Sequence, residues 1–207
     1  MKKSSKVFQG NPDFNKSAFL NWRVDKNDPI GNLISIGQGF IKSSKFTLEL
    51  CIKDNHEKIG DELIFPILTN LNHGIELYFK ALIWTLNLIQ SNEEKFPKTH
   101  NLYHLMNKSL ESIEAVDGKE ALENFTSTSA SLLDYINEIN ETIKTNSKSN
   151  NNDFSRYPFS IKFENHFYLN TYENVEIDMI NLLEIISNIE AILDDRVNYF
   201  YYHRLLE

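Results

Sequence analysis

The chain has one cysteine, Cys51, in 207 residues. That single thiol excludes an intramolecular disulfide and any cysteine-based zinc site, and it suits a reducing compartment. Positive charge is also scarce: 21 Lys and Arg face 29 Asp and Glu, a formal net charge of -8. Phosphate contacts need clustered cations, so this balance argues against broad nonspecific binding to nucleic acid while leaving room for a small basic groove. No long hydrophobic run is present. The most apolar stretch, Ala81 to Ile89, is short and broken by Thr85 and Asn87. No membrane span or signal peptide is therefore expected, and the simplest placement is cytoplasmic.

Hydrophobic content of 41% and charged content of 24% are globular values. The length fits one domain with a real core. Residues 1–30 carry Lys2, Lys3, Lys6, Pro12 and Pro29 with Phe8, Phe14, Phe19 and Trp22. They read as a loosely ordered arm that docks through its aromatics, ahead of a helical domain over 31–205.

Neither Gly nor Pro occurs between Asn174 and Leu205. There, Ile177, Ile180, Leu182, Leu183, Ile186, Ile189, Ile192, Leu193, Val197 and Phe200 make a broad stripe at three- and four-residue spacing. One long helix is expected, capped by Asn174, with Glu176 and Asp178 in its first turn. Arg196 and His203 are seven apart, which on an α-helix puts them within roughly 20° of one face and about 10 Å apart. A guanidinium can hold a phosphate as charge builds, and an imidazole can take or give the proton in 2′-hydroxyl attack on RNA. That reaction needs no metal or other cofactor. The alternative is that Arg196 pairs with Asp195 or a neighbouring acid on a solvated face and that His203 is a frayed terminal residue.

Other helices are expected over Ile34–Ile52, interrupted by Gly37 and Gly39, and over Leu63–Gln90, a wide apolar element buried on more than one side with Pro66 in its first turn. A turn over Asn55–Asp61 separates them. His73, Glu76 and Lys80 form an internal polar cluster or a solvated strip on the central helix, or else part of a site. No second ligand pair accompanies them, so a metal site is rejected. Thr99 caps a helix running to Val116, and Asp117-Gly118 ends it. His100 either hydrogen-bonds within that cap and packs on the central helix, or contacts substrate. A further helix spans Lys119–Lys144, with a bend in the Ser/Thr-rich Thr126–Ser131 segment.

Asn146 to Asp153 is a polar low-complexity loop. Arg156 and Tyr157, which follow it, either anchor that loop or contact RNA. Ile161–Phe163 and Phe167–Leu169 are expected to pair as a small β-hairpin around Asn165, before the last helix.

Taken in order, these features resemble the HEPN superfamily of small all-α proteins in bacterial toxin, abortive-infection and RNA-targeting defence systems. The resemblance rests on Phe65-Pro66-Ile67 leading to His73-Gly74-Ile75-Glu76-Leu77-Tyr78-Phe79-Lys80-Ala81, on Lys98-Thr99-His100-Asn101-Leu102-Tyr103-His104-Leu105, on Arg156-Tyr157-Pro158 and on the terminal Arg-x6-His. It spans about two thirds of the chain. It implies an all-α HEPN-like bundle and a metal-independent endoribonuclease, with two copies of the motif meeting across a homodimer axis. Arg196 would then bind phosphate and His203 would do acid/base work. Val197 stands where nuclease members often carry a polar residue, with Asn198 one place later; Asn198, Arg156, Tyr157 and His100 are the expected substrate contacts. RNA is the implied substrate, with an antitoxin or regulatory protein as a further partner. Some members have lost catalysis, so the same resemblance also admits a module that binds a partner protein, nucleotide or RNA.

Overall fold

The computed structural model describes residues 6–146, 152–160 and 162–206. They form an all-α fold of five helices: α1 (Pro29–Lys53), α2 (Ile59–Ile89), α3 (Leu102–Thr128), α4 (Ala130–Asn146) and α5 (Met179–Asn198). A π-helical turn, Tyr199–Leu205, continues α5. Most of the low-complexity loop over 146–153 lies outside the described residues.

Helix α2 is the hub, packing against α1, α3, α5 and the π turn. Its Leu71, Ile75, Tyr78, Phe79, Leu82, Ile83 and Leu86 are all almost fully buried, each stabilising the fold by ~1.5–3 kcal/mol relative to exposure. Helix α1 crosses it closely, through the two glycines Gly37 and Gly74. A Cβ on Gly37 would lie 3.2 Å from the Gly74 carbonyl oxygen, and one on Gly74 would lie 2.5 Å from Ile41 Cγ1. Gly37 and Gly39, expected to interrupt α1, both sit inside it; the close backbone approach needs Gly37, whereas a Cβ on Gly39 would meet open space.

Several boundaries differ from the sequence reading. Helix α1 starts at Pro29, where Asp28 Oδ1 accepts from the Gly31 amide at 2.7 Å and proline suits the first helical position. Helix α2 starts at Ile59, because Asn55 Oδ1 accepts from the Gly60 amide at 2.8 Å and Asp61 and Glu62 favour the first turn. Pro66 consequently lies in the helix interior. The N-cap of α3 is Asn101, whose side chain accepts from the His104 amide at 3.0 Å, while Thr99 holds the Asn101 amide. Gly118 kinks α3 with φ +83°, where two helices had been expected to meet, and Ser129 supplies the expected bend before α4. The last helix begins at Met179, not after Asn174: Asp178 Oδ1 accepts from both Ile180 and Asn181, a cap Asn174 does not make.

The β-hairpin does not form among the described residues; Ile161 lies outside them. One isolated antiparallel bridge joins Phe159 to Asn165, and Phe167–Leu169 is a 3-10 turn. A strand would send neighbouring side chains to opposite faces. The tight turn instead lets Phe167 pack on Phe154 while Tyr168 packs on Phe65 and donates its hydroxyl to the Phe154 carbonyl.

Ahead of α1, Phe14, Phe19 and Trp22 stack on one another, with ring centroids 4.5–5.5 Å apart. All three stay exposed rather than docking on the bundle. Among the described residues, no helix is long and apolar enough to cross a membrane.

Candidate functional site

Offsets of three and four residues bring His73, Glu76 and Lys80 to one face of α2. Glu76 and Lys80 are both buried, and Lys80 Nζ reaches Glu76 Oε1 at 2.7 Å. His100, in the segment leading into α3, places Nδ1 2.9 Å from the same oxygen, and His73 Nδ1 lies 3.9 Å from Oε2. Burial alone would raise the Glu76 pKa. The hydrogen bonds from His73 and Lys80 and the nearby positive charge outweigh it, and the carboxyl is held down at about 2. Glu76 is thus an acceptor only, so the His100 proton facing it must sit on Nδ1, leaving Nε2 directed away from the carboxylate. The His100 side chain is 72% exposed, so that nitrogen is accessible.

His73, Glu76 and His100 line one wall of a cavity of about 280 Å³, with Lys80 behind them. Phe40 and Leu102 give it apolar surface; Thr69, Asn72, Asp153, Ser155 and Arg156 complete it. Phe40 packs edge-on against the His73 ring at 4.5 Å. Thr69 donates to the Ser155 carbonyl at 2.9 Å, tying the segment after residue 152 to α2. Arg156 Nη1 pairs with Asp153 Oδ1 at 3.3 Å. Asn72 is buried, and its Oδ1 accepts from the hydroxyl of Tyr135 at 2.8 Å. Burial pushes the Tyr135 pKa up, so it keeps that proton, while Asn72 Nδ2 has no partner. Tyr157 stays half-exposed outside the cavity, with the Arg156 guanidinium 5.6 Å from its ring centre.

A second cavity, of about 440 Å³, opens where Arg196 leaves α5. Its walls include Asp117, Glu120, Asn124, Tyr199 and Phe200. The Arg196 side chain is 30% exposed, and its Nε pairs with Asp195 at 3.4 Å. Asn198 Oδ1 is buried without a partner. The π turn is clamped at two points. Arg204 holds Asp117 through two hydrogen bonds of 2.9 and 3.0 Å, and the Tyr201 hydroxyl donates to Asp28. One helical turn before Asn198, Tyr78 of α2 donates to Asp194. Burial and the adjacent carboxylates raise the pKa of both tyrosines, so both remain donors.

His203 lies on the exposed side of the π turn, its ring 6.3 Å from that of Tyr199, and it is not among the residues lining the Arg196 cavity. A π turn closes each hydrogen bond over five residues rather than four, so each residue advances less around the axis. His203 therefore falls behind the face that regular α geometry would share with Arg196. The regular α geometry on which the expected common face rested does not continue over Tyr199–Leu205.

The candidate residues divide between two places. His100 precedes α3 and Asp117 stands at its kink, and at 1.5 Å per residue the intervening helix is about 24 Å long. His100 and Arg156 meet at the first cavity, with Glu76; Arg196 belongs to the second, and Asn198 lines neither. The sequence reading missed Asn72, Asp153 and Ser155 in the first cavity and Asp117 and Glu120 in the second. The Asn72–Tyr135 bond spans 63 positions and leaves no local signal. The i,i+4 order of Glu76 and Lys80 was the one local sign of the buried cluster. Among the described residues, no three His, Cys, Asp or Glu side chains gather to hold a metal ion. Compared with protein-family models, curated proteins and solved structures, the chain matches none.

Proposed function

We propose that the chain is an HEPN-like endoribonuclease that cuts RNA without a metal ion and works as a homodimer. The observation that carries this reading is the position of Arg196, which opens into a 440 Å³ cavity at the base of the clamped turn bearing His203. A site on a turn is preorganised only if the turn is tied down, and Arg204–Asp117 and Tyr201–Asp28 do that. Because His203 stands off the face of Arg196, the two are best combined across a two-fold axis, the arginine of one copy with the histidine of the other. The guanidinium holds the scissile phosphate. An imidazole takes the 2′-hydroxyl proton as its oxygen bonds to phosphorus, and the 5′ oxygen leaves with a proton, giving a 2′,3′-cyclic phosphate and a 5′-hydroxyl. Tyr199 and Tyr202, both exposed, are placed to stack on bases. In this reading the protein acts in the cytoplasm in a toxin or abortive-infection role, restrained by an antitoxin or regulatory protein.

Asp117 and Glu120 in the same cavity favour a second reading, a noncatalytic binding module, since they oppose phosphate binding there. Total RNA incubated with wild type, Arg196→Ala and His203→Ala in EDTA separates the two. Cyclic-phosphate ends from wild type, reduced at least about a hundredfold in either variant with the fold unchanged, support the nuclease. Intact RNA from confirmed wild-type dimers supports the binding module.

A further inference from the structure

We propose that the cavity between His73, His100, Asn72 and Arg156 is a binding site for a phosphate group. This goes beyond the cleavage reading, because it requires neither Arg196 nor His203.

The argument is a balance of donors and acceptors. Every carboxylate in the cavity wall is already engaged. Glu76 Oε1 holds both Lys80 and His100, its Oε2 faces His73, and Asp153 pairs with Arg156. What remains unspent is donors. Asn72 Nδ2 is buried at a residue only 6% exposed, carries two protons and has no partner. Its orientation is set by Tyr135, which occupies the other end of the amide. A buried amide without a partner is costly, and a ligand oxygen would relieve it. Arg156 offers further N–H groups beyond the one given to Asp153, and its side chain is half-exposed at the cavity mouth. The rings of His73 and His100 flank the same space.

The charges agree. Glu76 with Lys80, and Asp153 with Arg156, each cancel, so an entering anion meets no uncompensated carboxylate. A tetrahedral oxyanion presents acceptors in several directions, which suits donors converging from α2, from the segment before α3 and from the segment after residue 152. At about 280 Å³ the cavity has room for a phosphate and a small attached group. That phosphate can come from an RNA strand or from a small phosphate ester.

The test uses the full chain and inorganic phosphate as probe, read by the imidazole NMR resonances of His73 and His100 and by calorimetry. The expected result is a saturable shift of both resonances, with affinity weakened about tenfold in Arg156→Gln and unchanged in Arg23→Gln, an exposed arginine outside both cavities. Asn72→Asp keeps an acceptor for Tyr135 but puts a carboxylate where the donor was, and it is expected to abolish binding. Should that variant fail to fold, Arg156→Gln and His100→Gln carry the test, since both side chains are at least half-exposed. Displacement of phosphate by a short oligoribonucleotide would assign the site to an RNA phosphate; displacement by a small phosphomonoester alone would assign it to a small ligand. No saturable shift at tens of millimolar phosphate, or the same shift with chloride at equal ionic strength, would overturn the proposal. Phosphate binding by a protein that leaves RNA intact would sink the nuclease reading and keep this one.

Discussion

The two ends of α3 hold the same kinds of side chain under opposite conditions. At the His100 end the acid and the lysine are buried, paired and fixed by neighbours from three segments. At the Asp117 end the charges are partly exposed, and order comes from clamps that tie down a turn. Burial makes the first end expensive to disturb, because an ion left alone there has no water to turn to. The second end can lose a charge and let solvent replace it. Rigidity by burial and rigidity by clamping therefore respond differently to the same substitution, and that difference is measurable.

The largest effect expected is from Glu76→Ala. It strands Lys80 in a site only 8% exposed and should cost about 3–5 kcal/mol in denaturant unfolding. A loss below about 1 kcal/mol would mean that Lys80 escapes to solvent and that the first end is no better fixed than the second. Acid provides an independent probe of the same residue. The folded Glu76 pKa of about 2 lies below the ordinary value of 4.5, so its contribution, about 3 kcal/mol, is complete above pH 4.5 and is lost as pH falls toward 2. Denaturation curves of wild type and Glu76→Gln across that window should converge as pH drops. Parallel curves would remove Glu76 from the acid response.

Next in size is Gly74→Ala, which forces a Cβ to 2.5 Å from Ile41 Cγ1 and 2.9 Å from the Gly37 carbonyl oxygen. A cost of about 1–3 kcal/mol is expected, read as a lowered melting temperature. Because Phe40 and His73 pack beside this crossing, the His73 resonance should move while those of Tyr199 and His203 stay put. Movement at both ends would show that α2 transmits the strain along its length. The smallest effect belongs to Arg204→Ala: about 0.5–1 kcal/mol, since the pair with Asp117 is partly exposed. Its signature should be faster hydrogen exchange confined to the π turn.

How much of this could be read from the residues alone follows from range. The all-α class, the central helix and the bend near Ser129 were legible because apolar periodicity and breaker residues act within a few positions. The pairing of Glu76 with Lys80 was legible for the same reason. The start of α5 was missed because two good caps, Asn174 and Asp178, lie one turn apart and only the folded chain chooses. The π turn was invisible: Tyr199 to Leu205 continues a helical pattern, and the Arg204–Asp117 pair that clamps it joins positions 87 apart. The hairpin failed where alternating aromatics met a packing surface that wanted neighbouring rings together. Arg156 and His100 were singled out separately as candidate contacts, but nothing local said that they share a cavity.

The bond between Tyr201 and Asp28 joins positions 173 apart. During synthesis, α1 and α2 can zip together while later helices are still unmade, yet the N-terminus of α1 waits for Tyr201 before this partner arrives. Closing so long a loop adds only a slowly growing entropic cost but delays the event. The nascent chain therefore passes through a stage in which the early helices are packed and the turn carrying His203 is not yet fastened, so assembly of the bundle precedes closure of the cavity beside Arg196.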